Sequence, residues 1–193
     1  MKKLAIFVVA LGILAVAALS YAEFKRFNVY TDKTAKDNHC APSGWMGDTG
    51  DIKLDAGCKD NPHSGAACIK VGYTAAQKQG AGWAGVYWQN PANNWGTQPG
   101  GIDLKGAKKL VFWARGEKGG EKAEFKVGGI TGEYADSDTA SITDVKLTPE
   151  WKEYTINLAG KDLGSISGGF CWVANAASNP NGFTIYLDDI YYE

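Results

Sequence analysis

The chain has 193 residues, a formal net charge of −1 and 21% charged residues. That length suits one domain with a sizeable core, and so even a charge balance supplies no field for nucleic acid or anionic lipid. After the N-terminus no segment is long and apolar enough to cross a membrane as a helix.

Lys2 and Lys3 open the chain, Leu4 to Leu19 is almost unbroken Ala, Leu, Val, Ile and Phe, and Ser20-Tyr21-Ala22 follows. This is the three-part layout of a secretory signal peptide, residues 1–22, cut before Glu23. The apolar run of 16 residues is short of the roughly 20 that span a bilayer. No cysteine sits at the cut, so the reading is a soluble, exported product, periplasmic or extracellular, with no membrane span in its mature form.

Residues 23–193 read as one domain. Glycine, asparagine, threonine and aromatics are abundant and helical periodicity is almost absent, which predicts short strands broken by turns. In chain order the strands fall at 24–30, 52–54, 67–73, 82–89, 108–115, 123–130, 142–147, 151–158, 169–174 and 184–192. Pro42-Ser43-Gly44, Asn90-Pro91, Gln98-Pro99-Gly100-Gly101, Gly116 to Gly120 and Ser178 to Gly182 separate them. Asp162-Leu163-Gly164-Ser165 is the one stretch that suggests a helical turn. The predicted fold class is all-β: a two-sheet antiparallel sandwich, or jelly roll, after a signal peptide.

Period-two alternation assigns faces. Leu110, Phe112 and Ala114 share one face, Val111, Trp113 and Arg115 the other. Ala123, Phe125 and Val127 oppose Glu124 and Lys126. Trp83, Tyr87 and Gln89 oppose Ala84, Val86 and Trp88. In each case the purely apolar set is the core face, and the mixed set is either an ordinary solvated face or a binding one.

Four cysteines lie in the mature part, and an even count in an exported chain predicts disulfides rather than metal ligation. Asp60 to Gly65 is a turn that returns the chain on itself, which favours Cys58–Cys68 and leaves Cys40–Cys171. Between Gly82 and Gly96 stand four large aromatics and four side-chain amides within 15 residues. Sugar rings offer apolar C–H faces and a rim of hydroxyls, so flat Trp and Tyr rings edged by planar amides and guanidinium groups suit them. Trp83, Tyr87, Trp88, Gln89, Asn94, Trp95, Trp113 and Arg115 are the candidate contacts. The competing reading packs these rings in the core. Glutamates stand mostly beside lysines and mark no acid pair, His39 and His63 are isolated, and neither G-x-S-x-G nor H-E-x-x-H occurs.

The closing strand carries Asp188 and Asp189 among apolar residues, so one of them turns towards the core unless a bulge intervenes. A buried carboxylate needs a partner or a cation, and calcium (Ca2+) takes oxygen ligands. The segment Phe183-Thr184-Ile185-Tyr186-Leu187-Asp188-Asp189-Ile190 resembles the terminal strand of carbohydrate-binding modules with the galactose-binding-domain-like jelly roll. So do Leu147 to Leu158, Leu110 to Gly116 and Gly168-Gly169-Phe170, in the family's order. Residues 23–100 match less clearly, and the cysteines are not a general family feature. The resemblance implies two packed antiparallel sheets, a structural calcium held by Asp188, then Asp189, with Asp32 as co-ligand, and a poly- or oligosaccharide bound on a sheet face or at loop tips. Such modules accompany catalytic domains, so a glycan-active enzyme served by this chain would be encoded separately. The sequence therefore reads as an exported, non-catalytic carbohydrate-binding protein. The alternatives are a small jelly-roll glycoside hydrolase or lyase and a surface or periplasmic adhesion protein.

Overall fold

Alternation of apolar and polar side chains commits the chain to half-buried strands, and its glycine-rich breaks turn each strand back. The computed structural model describes residues 23–193; the predicted signal peptide, residues 1–22, lies outside the described residues. The strands are β1 (Phe27–Tyr30), β2 (Ala41–Gly47), β3 (Ile52–Cys58), β4 (Cys68–Tyr73), β5 (Trp83–Gln89) and β6 (Lys109–Gly116). They continue with β7 (Lys122–Gly128), β8 (Thr139–Lys146), β9 (Lys152–Asn157), β10 (Gly168–Asn175) and β11 (Phe183–Tyr192). Among the described residues no helix is long and apolar enough to cross a membrane.

Two antiparallel sheets pack face to face. Sheet A runs β3-β4-β11-β6-β9, with β1 added along β11, and sheet B runs β2-β5-β10-β7-β8. Only β3–β4 and β7–β8 are hairpins within one sheet; every other connection crosses the sandwich. The long strands β10 and β11 are each paired on both sides, which makes them the centre of their sheets.

The inner faces are those the alternation predicts. Leu110, Phe112 and Ala114 meet Ala84, Val86 and Trp88, Ala123, Phe125 and Val127, and Phe170 and Trp172 in one continuous core. Its centre is aromatic: Phe112 lies 4.5 Å from Phe125 and 5.3 Å from Phe170, ring centre to ring centre, and Trp88 lies 5.6 Å from Phe170. These are separations at which offset and edge-on rings attract beyond their buried area.

Three sequence expectations differ from the structure. Pro42-Ser43-Gly44 is part of β2 rather than a turn; β2 is an edge strand, where a proline's missing N–H costs no ladder bond, and a bulge sits between Pro42 and Gly44. Asp162 to Ser165 forms no helix; the short helical turn is at Thr49–Asp51. Cys40 and Cys171 do not pair. Cys40 packs against the core, whereas Cys171 stands opposite Tyr87 and Lys126 on the outer side of sheet B. All four cysteines are thiols in this structure.

Candidate functional site

On a strand, residues two apart share a face, so Trp83, Gly85, Tyr87 and Gln89 of β5 all turn away from the core. Their register partners on β10, Asn175, Val173 and Cys171, turn the same way, as do Glu124 and Lys126 of β7. The middle of this outer face of sheet B is closed, with Cys171 0%, Gln89 1% and Tyr87 5% exposed, and the face opens at its Trp83 end. Trp83 at one end of it is 38% exposed, and Trp95, in the loop after β5, is 39% exposed. Tyr87 lies between them, 6.1 Å edge-on from the Trp95 ring. Four residues of extended strand set Trp83 about 13 Å from Tyr87. The result is a row of rings along β5 in which only the two indoles reach the surface, the Tyr87 ring between them being buried.

Each ring is held from beneath. The Tyr87 hydroxyl donates to the Gly128 carbonyl at 2.9 Å. Gln89 Nε2 donates to the Asn94 carbonyl at 2.9 Å, and Gln89 Oε1 accepts from Ser43 Oγ at 2.8 Å. Asn94 Oδ1 accepts the Gly96 N–H, and its amide donates to the Gln98 carbonyl. Gly96 has φ +76°, and a Cβ there would come within 2.2 Å of the Thr131 carbonyl oxygen. Glycine thus lets the Trp95 loop touch the 129–138 loop. That second loop is clamped by Asp136, which accepts the N–H groups of Ile130, Ser167 and Gly168. Burial pushes the Asp136 carboxyl up, and those donors pull it back.

At the other end, Asp48 is fully buried and accepts the N–H groups of Gln79, Ala81 and Gly82 at 2.7–3.0 Å. Its own N–H donates to the Trp83 carbonyl at 2.8 Å. Uncompensated buried charge is costly; here it is spent on fixing the turn that presents Trp83.

These placements divide the sequence candidates. Trp83 and Trp95 are exposed on one face; Tyr87 turns to the same face, but it is buried and its hydroxyl is spent on the Gly128 carbonyl, so it offers a sugar no surface. Trp88 does not: it is 1% exposed, in the core. Gln89 and Asn94 are buried, and their hydrogen-bonding groups are spent internally. Sequence reasoning passed over Tyr134, which is 37% exposed in the loop joined to Gly96 through its N–H. An aromatic standing between Gly132 and Asp136 in a polar stretch was the available signal. It also passed over Trp45, which is exposed at the sandwich edge, opposite Val86 and so on the other side of β2.

Trp113 and Arg115 belong to the outer face of sheet A, on the far side of the molecule. There the β3–β4 connection, residues 59–67, lies across the sheet as a strap. His63 stacks on Trp113 at 3.7 Å. Arg115 donates to the Asp60 carbonyl and Trp151 to the Asn61 carbonyl, both at 2.9 Å. The rings that a sugar would need on this side are partly covered by the chain itself, and their polar edges are already bonded.

The three acids expected to hold calcium hold the strap instead. A bulge at Asp189, φ +45°, turns both Asp188 and Asp189 outward. Asp188 Oδ2 accepts the N–H groups of His63 and Ser64, and its Oδ1 accepts that of Asp189. Asp189 accepts from Ser64 Oγ and pairs with His63 Nδ1 at 2.7 Å. Asp32 accepts the Ala66 N–H at 2.7 Å. Donor hydrogens aimed at these oxygens repel a cation, and among the described residues no three His, Cys, Asp or Glu are arranged to hold one. The set does not fit calcium, and EDTA is expected to leave the thermal midpoint unchanged. A fall of several degrees that calcium restores would contradict this.

Burial, aided by the Asp189 charge, raises the Asp188 carboxyl to about 6, against about 3.9 for an unfolded aspartate. The folded chain therefore holds a proton there between those values that the unfolded chain has lost. The stability associated with that proton is complete below about pH 4 and is lost as pH rises through 6. Thermal melts of Asp188→Asn against wild type are expected to show the difference shifting in the variant's favour from pH 4 to pH 7. A difference independent of pH would contradict the assignment.

No protein-family model matches the sequence, and no curated protein matches it. Solved structures do. A family 30 carbohydrate-binding module superposes with a TM-score of 0.61 at 15% identity, covering 88% of this chain and 98% of that one. A family 11 module of a cellulosomal cellulase of Clostridium thermocellum superposes with a TM-score of 0.56 at 12% identity, covering 89% and 95%. A mutant family 29 module complexed with mannohexaose gives 0.51 at 11% identity, covering 87% and 90%. Identities this low speak to architecture alone, and the architecture is that of the jelly-roll carbohydrate-binding modules.

Proposed function

We propose that the protein is an exported, non-catalytic carbohydrate-binding protein that takes a poly- or oligosaccharide on the outer face of sheet B. One observation carries the reading: Trp83 and Trp95 are large apolar rings left more than a third exposed on turns fixed by buried polar clamps. Exposed tryptophan held rigid is a poor use of an apolar ring unless a ligand covers it. The module fold and the mannohexaose bound by a structural neighbour support the same ligand class. Lys126, beside Cys171 on that face, offers a polar edge to the row of rings.

Catalysis finds no support in the arrangement. Hydrolysis of a glycoside uses two carboxyls roughly 5–10 Å apart. On this face Glu124 stands opposite Val173, whereas Asp136 grips Gly168; five residues of strand separate those points, about 17 Å. Glu124 and Asp144 do share a hollow, but it lies across β10 from Trp83 and so to the side of the exposed rings. On this non-catalytic reading a glycan-active enzyme served by the protein would be a separate partner. Affinity electrophoresis through gels containing β-glucan, xylan or mannan is expected to retard the protein in at least one. Unaltered mobility in all of them would overturn the reading.

Export would bring an oxidising compartment. Cys58 and Cys68 face each other across β3 and β4, and burial together with the Cys58 sulfur pushes the Cys68 thiol up to about 12, so Cys68 is not a reactive thiolate. Protein secreted under oxidising conditions is expected to carry one disulfide, Cys58–Cys68, leaving Cys40 and Cys171 free. Thiol titration in denaturant would count two free thiols; a count of none or four would refute it.

A further inference from the structure

We propose that the outer face of sheet B carries a side pocket for a single-sugar branch, so that the preferred ligand is a branched rather than a linear glycan. This rests on the saccharide reading of that face. Most polar side chains near the ring row are already spent: Gln89, Asn94, Asp136 and Asp48 all satisfy loops. Uncommitted ones gather in one place. Across β10 from Trp83, a hollow of about 100 Å³ is lined by Lys122, Glu124, Thr143, Asp144, Val173 and Asn175.

A β-bulge makes this hollow. β8 pairs Val145 with Ala123 and Ile142 with Phe125, so Thr143 and Asp144 both stand opposite Glu124, and Asp144 takes φ +53°. The extra residue bends the strand and re-aims side chains, as bulges beside binding sites do. A non-glycine residue at positive φ costs energy that regular pairing would have spared.

The lining has the chemistry of hydroxyl recognition. Among the described residues the Thr143 hydroxyl, the Asp144 carboxylate, the Lys122 ammonium and the Asn175 amide N–H2 have no side-chain partner, and Glu124 has only Lys126 at 3.8 Å. Two acceptors, a cation, a hydroxyl and an amide around the Val173 side chain suit a small neutral ring with several hydroxyls. Asn175 is the register partner of Trp83, and Glu124 faces Val173 one strand further on. The hollow is therefore one or two strand spacings, about 5–10 Å, to the side of the ring row. A main chain stacked along the row would pass it, and only a substituent would enter.

The test is calorimetric titration with matched probes: a linear β-1,4-gluco-oligosaccharide and the same backbone carrying single-xylose branches, and a linear manno-oligosaccharide and its single-galactose-branched form. Two or three added hydrogen bonds of ordinary net worth predict that one branched probe binds roughly thirtyfold or more tighter than its linear partner. Thr143→Val, Asn175→Ala and the isosteric Glu124→Gln should each lower affinity for the branched probe towards the linear value and leave the linear value unchanged. Equal affinity for linear and branched probes, or variants that weaken both alike, would overturn the pocket while the ring row stands. Binding of no probe at all would overturn both.

Discussion

Replacing Trp83 and Trp95 together by alanine is expected to lower saccharide affinity at least a hundredfold while leaving the fold intact. Each ring is large, partly exposed and fixed, the profile of residues that dominate binding energies. Truncating such an anchor costs about 2 kcal/mol, roughly thirtyfold. The single variants should therefore each lose about an order of magnitude or more. Sugar hydroxyls contribute less, because the water they give up offsets the hydrogen bonds they gain. Both side chains lie at the surface, so the thermal midpoint should stay within about 2 °C of wild type, as surface changes usually do. Calorimetric titration beside a thermal melt separates the two effects. Retained affinity in the double variant would mean that the glycan lies elsewhere.

Phe170→Ala is expected to do the reverse. Phe170 is fully buried and meets Trp88, Phe112 and Phe125 at ring-centre distances of 5.3–6.0 Å. It stands on the central strand of sheet B and reaches across to sheet A, so its removal leaves a cavity that both sheets would have to collapse to fill. Such truncations cost about 3–5 kcal/mol, which for a domain of this size is roughly 6–20 °C in midpoint. Denaturant unfolding with an unchanged slope would read it. A loss below about 1 kcal/mol would mean that the centre of the core is packed differently.

The core was legible because period two is unambiguous where a strand alternates cleanly. Leu110-Val111-Phe112-Trp113-Ala114 and Ala123 to Val127 disclosed their inner faces from sequence alone. β2 was not legible, since Ala41-Pro42-Ser43-Gly44 has the composition of a turn and becomes a strand only through pairing with β5. The site was half legible. Trp83 and Tyr87 share a face by alternation, but alternation does not reveal which sheet a strand joins. Trp113 and Arg115, on β6, fell on the opposite sheet for that reason. The acids at the chain end illustrate the same limit. That Asp188 needed partners followed from burial; that the partners were the N–H groups of His63 and Ser64, more than a hundred residues away, followed from the fold. Glu124, Thr143 and Asn175 were illegible as a group because a bulge brings them together.

The strap explains why one face should bind and the other should not. Sheet A and sheet B both carry tryptophan outward, yet His63 already occupies the Trp113 ring, and carbonyls of Asp60 and Asn61 occupy the donors of Arg115 and Trp151. A sugar would have to displace all three. On sheet B the chain covers Tyr87, Gln89 and Cys171 but leaves Trp83 and Trp95 more than a third exposed.

The chain has seven tryptophans, so seven indole N–H signals report on the whole surface in one nuclear magnetic resonance titration with the oligosaccharide that binds. The account predicts that the signals of Trp83 and Trp95 move with ligand, while those of Trp88 and Trp172 in the core and of Trp113 and Trp151 under the strap stay in place. Movement of the Trp113 and Trp151 signals with Trp83 and Trp95 unchanged would put the ligand on sheet A and contradict it.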